Sequence, residues 1–419
     1  MSAVGRASKR MEQSGNDQSM PAAVLPLHHG PLVFREITLS NVLSFGPKTK
    51  ALDLRSLNVL IGPNGSGKSN LLEVIALLQT APTALRPAIL KGGGVGEWIW
   101  KGDPDAAACI NVVVSNEPSR PPLRHTLAFR AVRQAFQIED EKIENECPRE
   151  GERDPYFYYR FQHGKPLINK RKVPNPPQSG RGAIDTELSI LAQRRDPHIY
   201  PEITHLADVY RRICFYREWA FGRTTVFRTP QKADLRNDRL EENFSNLGLF
   251  LNRLRRFPRA KTALLKGLRD LYEGLTDFEV IIEGGTVQVF FTEGDFTIPA
   301  TRLSDGSVRY LCLLAILCDP NPPPFIGLEE PELGLHPDLL PKIADLMVDA
   351  SQRTQLVVTT HSDILVDALS DIPETVVVCE KHNSQTQFSR LDRSKLQSWL
   401  SSYRLGQLWT RGDLGGTRW

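Results

Sequence analysis

The stretch "LIGPNGSGKSNLLEVIALL" at residues 60–78 restricts what this chain can fold into more than any other. Gly62, Gly67, Lys68 and Ser69 meet the spacing G-x4-G-K-[ST]. The apolar run before them reads as a strand. Leu71, Leu72, Ile75 and Leu78 then fall on one side of a helix over 69–79. Strand, glycine loop and helix together give the spacing its meaning. Glycines let the backbone curl until successive N–H groups point inward, and the following helix offers its positive end to an anion. Lys68 is expected to reach the β- and γ-phosphates of a nucleotide, and the Ser69 hydroxyl to hold Mg²⁺.

Around this loop the sequence predicts an α/β domain split by an insertion. "LVFREITLSNVLSF" (32–45) and "KALDLRSLNVLIG" (50–62) read as two strands. "KGGGVGEWIWKGD" (91–103) reads as a glycine-rich connector, and several short, antiparallel strands follow it. "KPLINKRKVPNPPQSGRG" (165–182) reads as a basic, proline-rich loop, with helical periodicity dominating from 185 to 275. A hairpin is expected over 278–291, turning at Gly284 and Gly285. The last third alternates helix and buried strand, as parallel sheets do. The expected organisation is a disordered leader (1–30), a first part of the nucleotide domain (31–90), and an insertion (91–277). A second part of the domain (278–390) and a tail (391–419) complete it. No heptad run long enough for a coiled-coil arm is present.

Three further motifs lie in the last third. "PFIGLEEPELGLHP" (324–337) ends an apolar strand in two carboxylates, at the edge where parallel sheets bind ligands. Glu329 stands where an acid contacting the metal is expected, and Glu330 where a base activates water. His361 ends "LVVTTHS", one strand further on, within reach of a γ-phosphate or the attacking water. "RLSDGSVRYL" (302–311) places Ser304, Asp305 and Gly306 at a helix start, where free N–H groups can meet an anion.

The order of these motifs resembles the ABC-type head ATPases of the RecF, SMC and OLD group. The resemblance is carried by "NVLSFGP", "LIGPNGSGKSNLLE", "LSDGSVRYL", "LEEPELGLHP" and "TTHSDILVDAL". It extends to bacterial stand-alone AAA family ATPases with AbiEii-toxin-like domains, and runs from about residue 31 onward. It implies a Mg²⁺-dependent ATPase in which Asn64, Gly65, Ser66, Gly67, Lys68, Ser69 and Asn70 bind ATP. Ser69 and Glu329 would hold the metal, Glu330 polarise the water and His361 sense the γ-phosphate. Ser304, Asp305 and Gly306 would contact the γ-phosphate bound by a second copy of the chain. The implied role is a dimeric switch with a separately encoded effector, in DNA-related, anti-phage or toxin–antitoxin processes. A regulatory ATP-binding protein with negligible turnover and a RecF-like repair ATPase are the alternatives. Three departures stand out: LSDGS in place of LSGGQ, Glu329 in place of Asp, and no local pattern selecting a Q-loop glutamine among Gln79, Gln134 and Gln137. After "VVVCEK" (376–381) too few residues remain for the Toprim domain of OLD nucleases.

Composition adds location and charge. No apolar run approaches a bilayer-spanning length, and the six cysteines form no CxxC pair. Neither a zinc site nor a disulfide framework is suggested, and a reducing cytoplasm fits. Residues 211–270 hold 15 Lys and Arg against 6 Asp and Glu, within a chain of net charge only +3. That segment is a candidate DNA surface.

Overall fold

The computed structural model describes residues 30–162, 164–170, 184–185, 187–219, 222, 225–271 and 273–416. The expected leader up to residue 29, and the proline-rich segment from 171 to 182, lie outside them.

The chain opens with β1 (Phe34–Ser40), β2 (Leu52–Asp53) and β3 (Leu57–Ile61), then α1 (Lys68–Thr80), α2 (Leu85–Lys91) and α3 (Val95–Trp98). Next come β4 (Ala108–Val114), β5 (Leu123–Val132), β6 (Ala135–Asn145), β7 (Phe157–Gln162) and β8 (Lys165–Ile168). α4 (Ile190–Gln193) and α5 (Pro201–Arg211) lead to β9 (Cys214–Tyr216) and β10 (Gln231–Lys232). α6 (Leu247–Leu254) and α7 (Pro258–Leu271) precede the strands β11 (Leu275–Glu283), β12 (Thr286–Glu293) and β13 (Phe296–Pro299). The remainder runs α8 (Asp305–Leu317), β14 (Phe325–Glu329), α9 (Leu340–Ala350), β15 (Gln355–Thr359), α10 (Asp363–Asp367), β16 (Val376–His382) and β17 (Gln385–Arg390). α11 (Arg393–Leu400) and α12 (Leu405–Thr410) close it.

Three sheets result. The central one has the order β17-β16-β3-β15-β14-β9, parallel except for β17. A seven-stranded antiparallel sheet runs β2-β1-β4-β5-β6-β7-β8, and β10 to β13 form a smaller antiparallel sheet. The parallel strands are apolar on both faces because both are covered. Along β3, Leu57, Val59 and Ile61 enter the core shared with α8 and α9, while Leu60 enters the core shared with α1 and the antiparallel sheet. At roughly 25 cal/mol per Å², this double burial is what holds the phosphate-loop strand at the centre.

Several local expectations differ from the result. The strand expected over 50–62 is broken in two. Asn58 folds back on Arg55, accepting its N–H at 2.9 Å and donating to its carbonyl at 2.6 Å. That turn sends β2 to one sheet and β3 to another. The glycine-rich connector contains α3. The helical stretch from 185 contains β9, three buried residues that pair with β14 and complete the parallel sheet. Three residues are too few to show a period. The hairpin turns at Gly284 and Gly285, both at positive φ (57° and 75°), as its two-residue turn requires. In the expected tail, α12 packs on α10 and buries Leu405 and Leu408.

Candidate functional site

The phosphate loop joins β3 to α1. Gly62, Gly65 and Gly67 all have positive φ, and two of them lie against backbone or side chains that exclude any larger residue. A Cβ on Gly62 would stand 2.2 Å from the Cys379 carbonyl oxygen, and one on Gly67 the same distance from Thr386 Oγ1. Thr386 on β17 donates to the Ser66 carbonyl at 2.8 Å, and its hydroxyl lies 2.7 Å from Ser44 Oγ. Ser44 also accepts the Asn70 amide at 2.7 Å, so that side chain braces the loop from behind. Asn64 and Gly65 are exposed at the loop's tip. Lys68 Nζ donates to the carbonyls of Gly62 (2.7 Å) and Pro63 (3.1 Å), curling the loop about itself. Burial holds the Lys68 ammonium below its ordinary pKa, against the opposing pull of Cys379, Glu330, Glu332 and Glu329.

Register assembles the opposite wall. Glu329 pairs with Thr359 across β14 and β15, and Leu328 pairs with Tyr216 of β9. Arg217, the next residue after β9, therefore comes abreast of Glu329, and its Nε lies 2.8 Å from Glu329 Oε2. Trp219 Nε1 donates to the Glu329 carbonyl at 2.7 Å. Glu330 turns the chain at φ 45°, a left-handed conformation, with its N–H held by the Thr359 carbonyl at 3.0 Å. A non-glycine residue pays for that geometry, and here it brings the carboxylate toward His361, with Oε1 3.5 Å from Nε2. His361 is pushed below its usual value, first by burial and then by Lys68. Glu332 lies behind this pair. Its Oε1 accepts the Thr360 hydroxyl and the His361 N–H, each at 2.7 Å. Its Oε2 is buried with no protein partner among the described residues, and burial raises its pKa.

The helix start at Ser304 is built separately. Ser304 caps α8, accepting the Ser307 N–H at 3.1 Å. Asp305 is exposed and paired with Arg228 at 2.6 Å, and Arg228 also donates to the carbonyls of Thr301 and Leu303. A Cβ on Gly306 would stand 2.9 Å from the Gly334 carbonyl oxygen, so α8 begins against the turn that follows Glu330. The structure thus gathers Lys68, Glu329, Glu330 and His361 at one edge of the sheet. Ser304 and Asp305 make their own contacts with Ser307 and Arg228, while Gly306 lies against the turn after Glu330.

The donor set suits a phosphate and a hard cation. Lys68 and the free N–H groups of the first turn of α1 would suit one oxyanion. The Ser66 hydroxyl is buried with no protein partner among the described residues. The Ser69 hydroxyl and the Glu329 carboxylate are hard oxygen donors of the kind that would hold Mg²⁺.

Two residues of this edge escape a motif reading. Glu332 was visible as the third acid of "EEPE", without a role attached. Arg217 carries no local signal, since only the pairing of β9 with β14 brings it to Glu329. Gln79, one Q-loop candidate, instead donates to the Ile213 carbonyl and to Glu242 at 2.8 and 2.9 Å, tying α1 to the start of β9. Part of the basic segment is paired within the chain. Arg217, Arg228, Arg236, Arg253 and Lys261 pair with Glu329, Asp305, Asp238, Asp319 and Asp277.

The fold is that of ABC-type ATPase heads. An Smc head bound to the C-terminal winged-helix domain of ScpA is similar at TM-score 0.53 and 14% identity, covering 87% of this chain and 99% of that one. An Smc head with an extended coiled coil, bound to the C-terminal domain of ScpA and derived from Pyrococcus furiosus, is similar at TM-score 0.52 and 13% identity. It covers 88% of this chain and 98% of that one. No curated protein matches the chain in sequence. Among the described residues, no helix is long and apolar enough to cross a membrane. The family described as "AAA domain, putative AbiEii toxin, Type IV TA system" matches residues 57–367. The chain belongs to that AAA domain family, and its fold is like that of the Smc heads.

Proposed function

We propose that the chain is an ATP-hydrolysing switch that closes as a homodimer around two nucleotides. One observation carries this reading. Lys68, Glu330 and His361 converge at one sheet edge, while Ser304 stands exposed on another helix start with no hydrogen bond to them. A site so divided is completed by a second copy.

Lys68 gives up its loop carbonyls for the β- and γ-phosphates, and the first turn of α1 donates N–H groups beside it. Ser69 and Glu329 would hold Mg²⁺, which would supply positive charge against the charge developing on the phosphate. Glu330 takes a proton from the water that attacks the γ-phosphorus, and ADP leaves as the phosphate is captured. His361, kept neutral by its surroundings, hydrogen-bonds the departing group. Ser304 and Gly306 of the second copy close over the same phosphate, with Arg228 compensating Asp305.

The family description and the ScpA-bound Smc heads support a separate protein partner in a defence or toxin–antitoxin setting. DNA contact, if made through the basic segment, falls to the exposed Arg255, Arg256 and Arg259 at the junction of α6 and α7.

Glu330→Gln tests the reading. Turnover should fall by about two to three orders of magnitude, as expected for a lost positioned base. The variant should accumulate an ATP-dependent dimer by analytical ultracentrifugation. Turnover at the wild-type rate overturns Glu330 as the base, and a chain that stays monomeric with ATP overturns the clamp.

A further inference from the structure

Among the described residues, Arg217 is the basic side chain that forms an ion pair with Glu329. β9 runs parallel to β14 as the edge strand, and the residue leaving its C-terminal end emerges where ligands of parallel sheets bind. The guanidinium meets Glu329 Oε2 at 2.8 Å, on an atom that the bound metal would claim. A carboxylate oxygen turned to a divalent cation loses its hold on a neighbouring cation, and the released guanidinium then seeks an anion. The γ-phosphate arriving at the same edge is that anion, and a planar fork of donors suits it.

We propose that Arg217 is a phosphate-binding residue of the nucleotide site, stored on Glu329 while the site is empty and transferred to the γ-phosphate when Mg²⁺ and ATP bind. The inference rests on the nucleotide reading given above. Two features make the exchange local. Trp219 Nε1 holds the Glu329 carbonyl, not its carboxylate, at 2.7 Å, so the loop stays anchored while the side chain changes partner. A cleft of about 760 Å³ opens beside the pair, lined by Arg217, Glu329, Glu73 and Leu77, so the guanidinium is not packed in on that side. The loop is also tied to α8, the helix that Ser304 caps. Arg309 on α8 lies over the Trp219 ring at 5.2 Å and donates to the Trp219 carbonyl at 3.3 Å.

The competing account is a static ion pair. The two are separated by discrimination between triphosphate and diphosphate, measured by calorimetric titration with AMP-PNP and with ADP in the presence of Mg²⁺. Arg217→Gln should weaken AMP-PNP by about ten- to a hundredfold, the range for a charged hydrogen bond, and ADP by less than about threefold. Equal effects on the two nucleotides, or none, overturn the proposal. Should the single variant misfold around an unpaired carboxylate, Arg217→Gln with Glu329→Gln leaves none. Compared with Glu329→Gln alone in EDTA, it should show the same selective loss of AMP-PNP, and an unchanged ratio overturns the proposal. A wild-type chain that binds neither nucleotide fails at the earlier step, and overturns the nucleotide reading along with this one.

Discussion

Glu332 Oε1 lies 2.7 Å from the His361 amide nitrogen, and the same oxygen accepts the Thr360 hydroxyl at 2.7 Å. One buried carboxylate therefore fastens the turn after β15 to the turn after β14. The two turns carry His361 and Glu330, so Glu332 ties the two together through the backbone N–H of His361 and the Thr360 hydroxyl. Removing the acceptor leaves two donors short of a partner. Glu332→Ala should lower stability by about 1–3 kcal/mol by chemical denaturation and slow ATP turnover. Wild-type stability and turnover together would show that the turns hold without it.

Glu332→Gln separates the charge from the hydrogen bonds. Burial raises the Glu332 pKa from 4.5, so the folded chain favours the protonated form. That contribution is fully present below the unfolded value and is lost as pH rises through the folded one. The glutamine variant should melt above the wild type at pH 7, with the difference shrinking toward pH 4. Melting curves that stay parallel across this range would contradict the burial argument.

His361 has the opposite dependence. Its pKa is lowered from 6.5 by burial and by Lys68, so folding favours the neutral ring. This contribution is present above the unfolded value and is lost as pH falls through the folded one. His361→Gln should flatten the decline of melting temperature between about pH 7 and pH 5. An NMR titration of the ring should give a midpoint below 6.5, and a midpoint above it would reverse the assignment.

Gly327 sits in β14 two residues before Glu329, where a Cβ would lie 2.5 Å from Phe215 Cδ1 and 3.2 Å from Leu72 Cδ2. Gly327→Ala should cost about 1–3 kcal/mol by overpacking. It should also displace β9, weakening the Arg217–Glu329 pair. A neutral effect on melting temperature would mean that β9 yields without strain.

Glu141 anchors the far side of the molecule. It accepts Ser189 Oγ at 2.5 Å and the Ile190 N–H at 2.9 Å, with His125 Nε2 at 3.4 Å, all within a fully buried cluster. Glu141→Ala should cost about 3 kcal/mol or more, because several buried partners lose an acceptor at once. Nucleotide affinity of the folded fraction should be unchanged, as measured by titration, since the cluster lies in the antiparallel sheet.

What the sequence by itself determined is the chemistry of contiguous motifs. A glycine loop is legible because three positive-φ glycines and a lysine must follow one another along the chain. The acid pair after β14, the histidine after β15 and the serine cap of α8 are legible for the same reason. Each needs only an apolar strand or a helix start beside it. Tertiary structure decided what those motifs are joined to. Arg217 reaches Glu329 across 112 residues only because three buried residues of β9 pair with β14. Thr386 braces the phosphate loop from 320 residues away. Of the positive charge of 211–270, read from composition as a candidate surface, Arg217, Arg228, Arg253 and Lys261 are paired with acids brought from other elements. Pairing register and burial act between distant residues, and no local period records them.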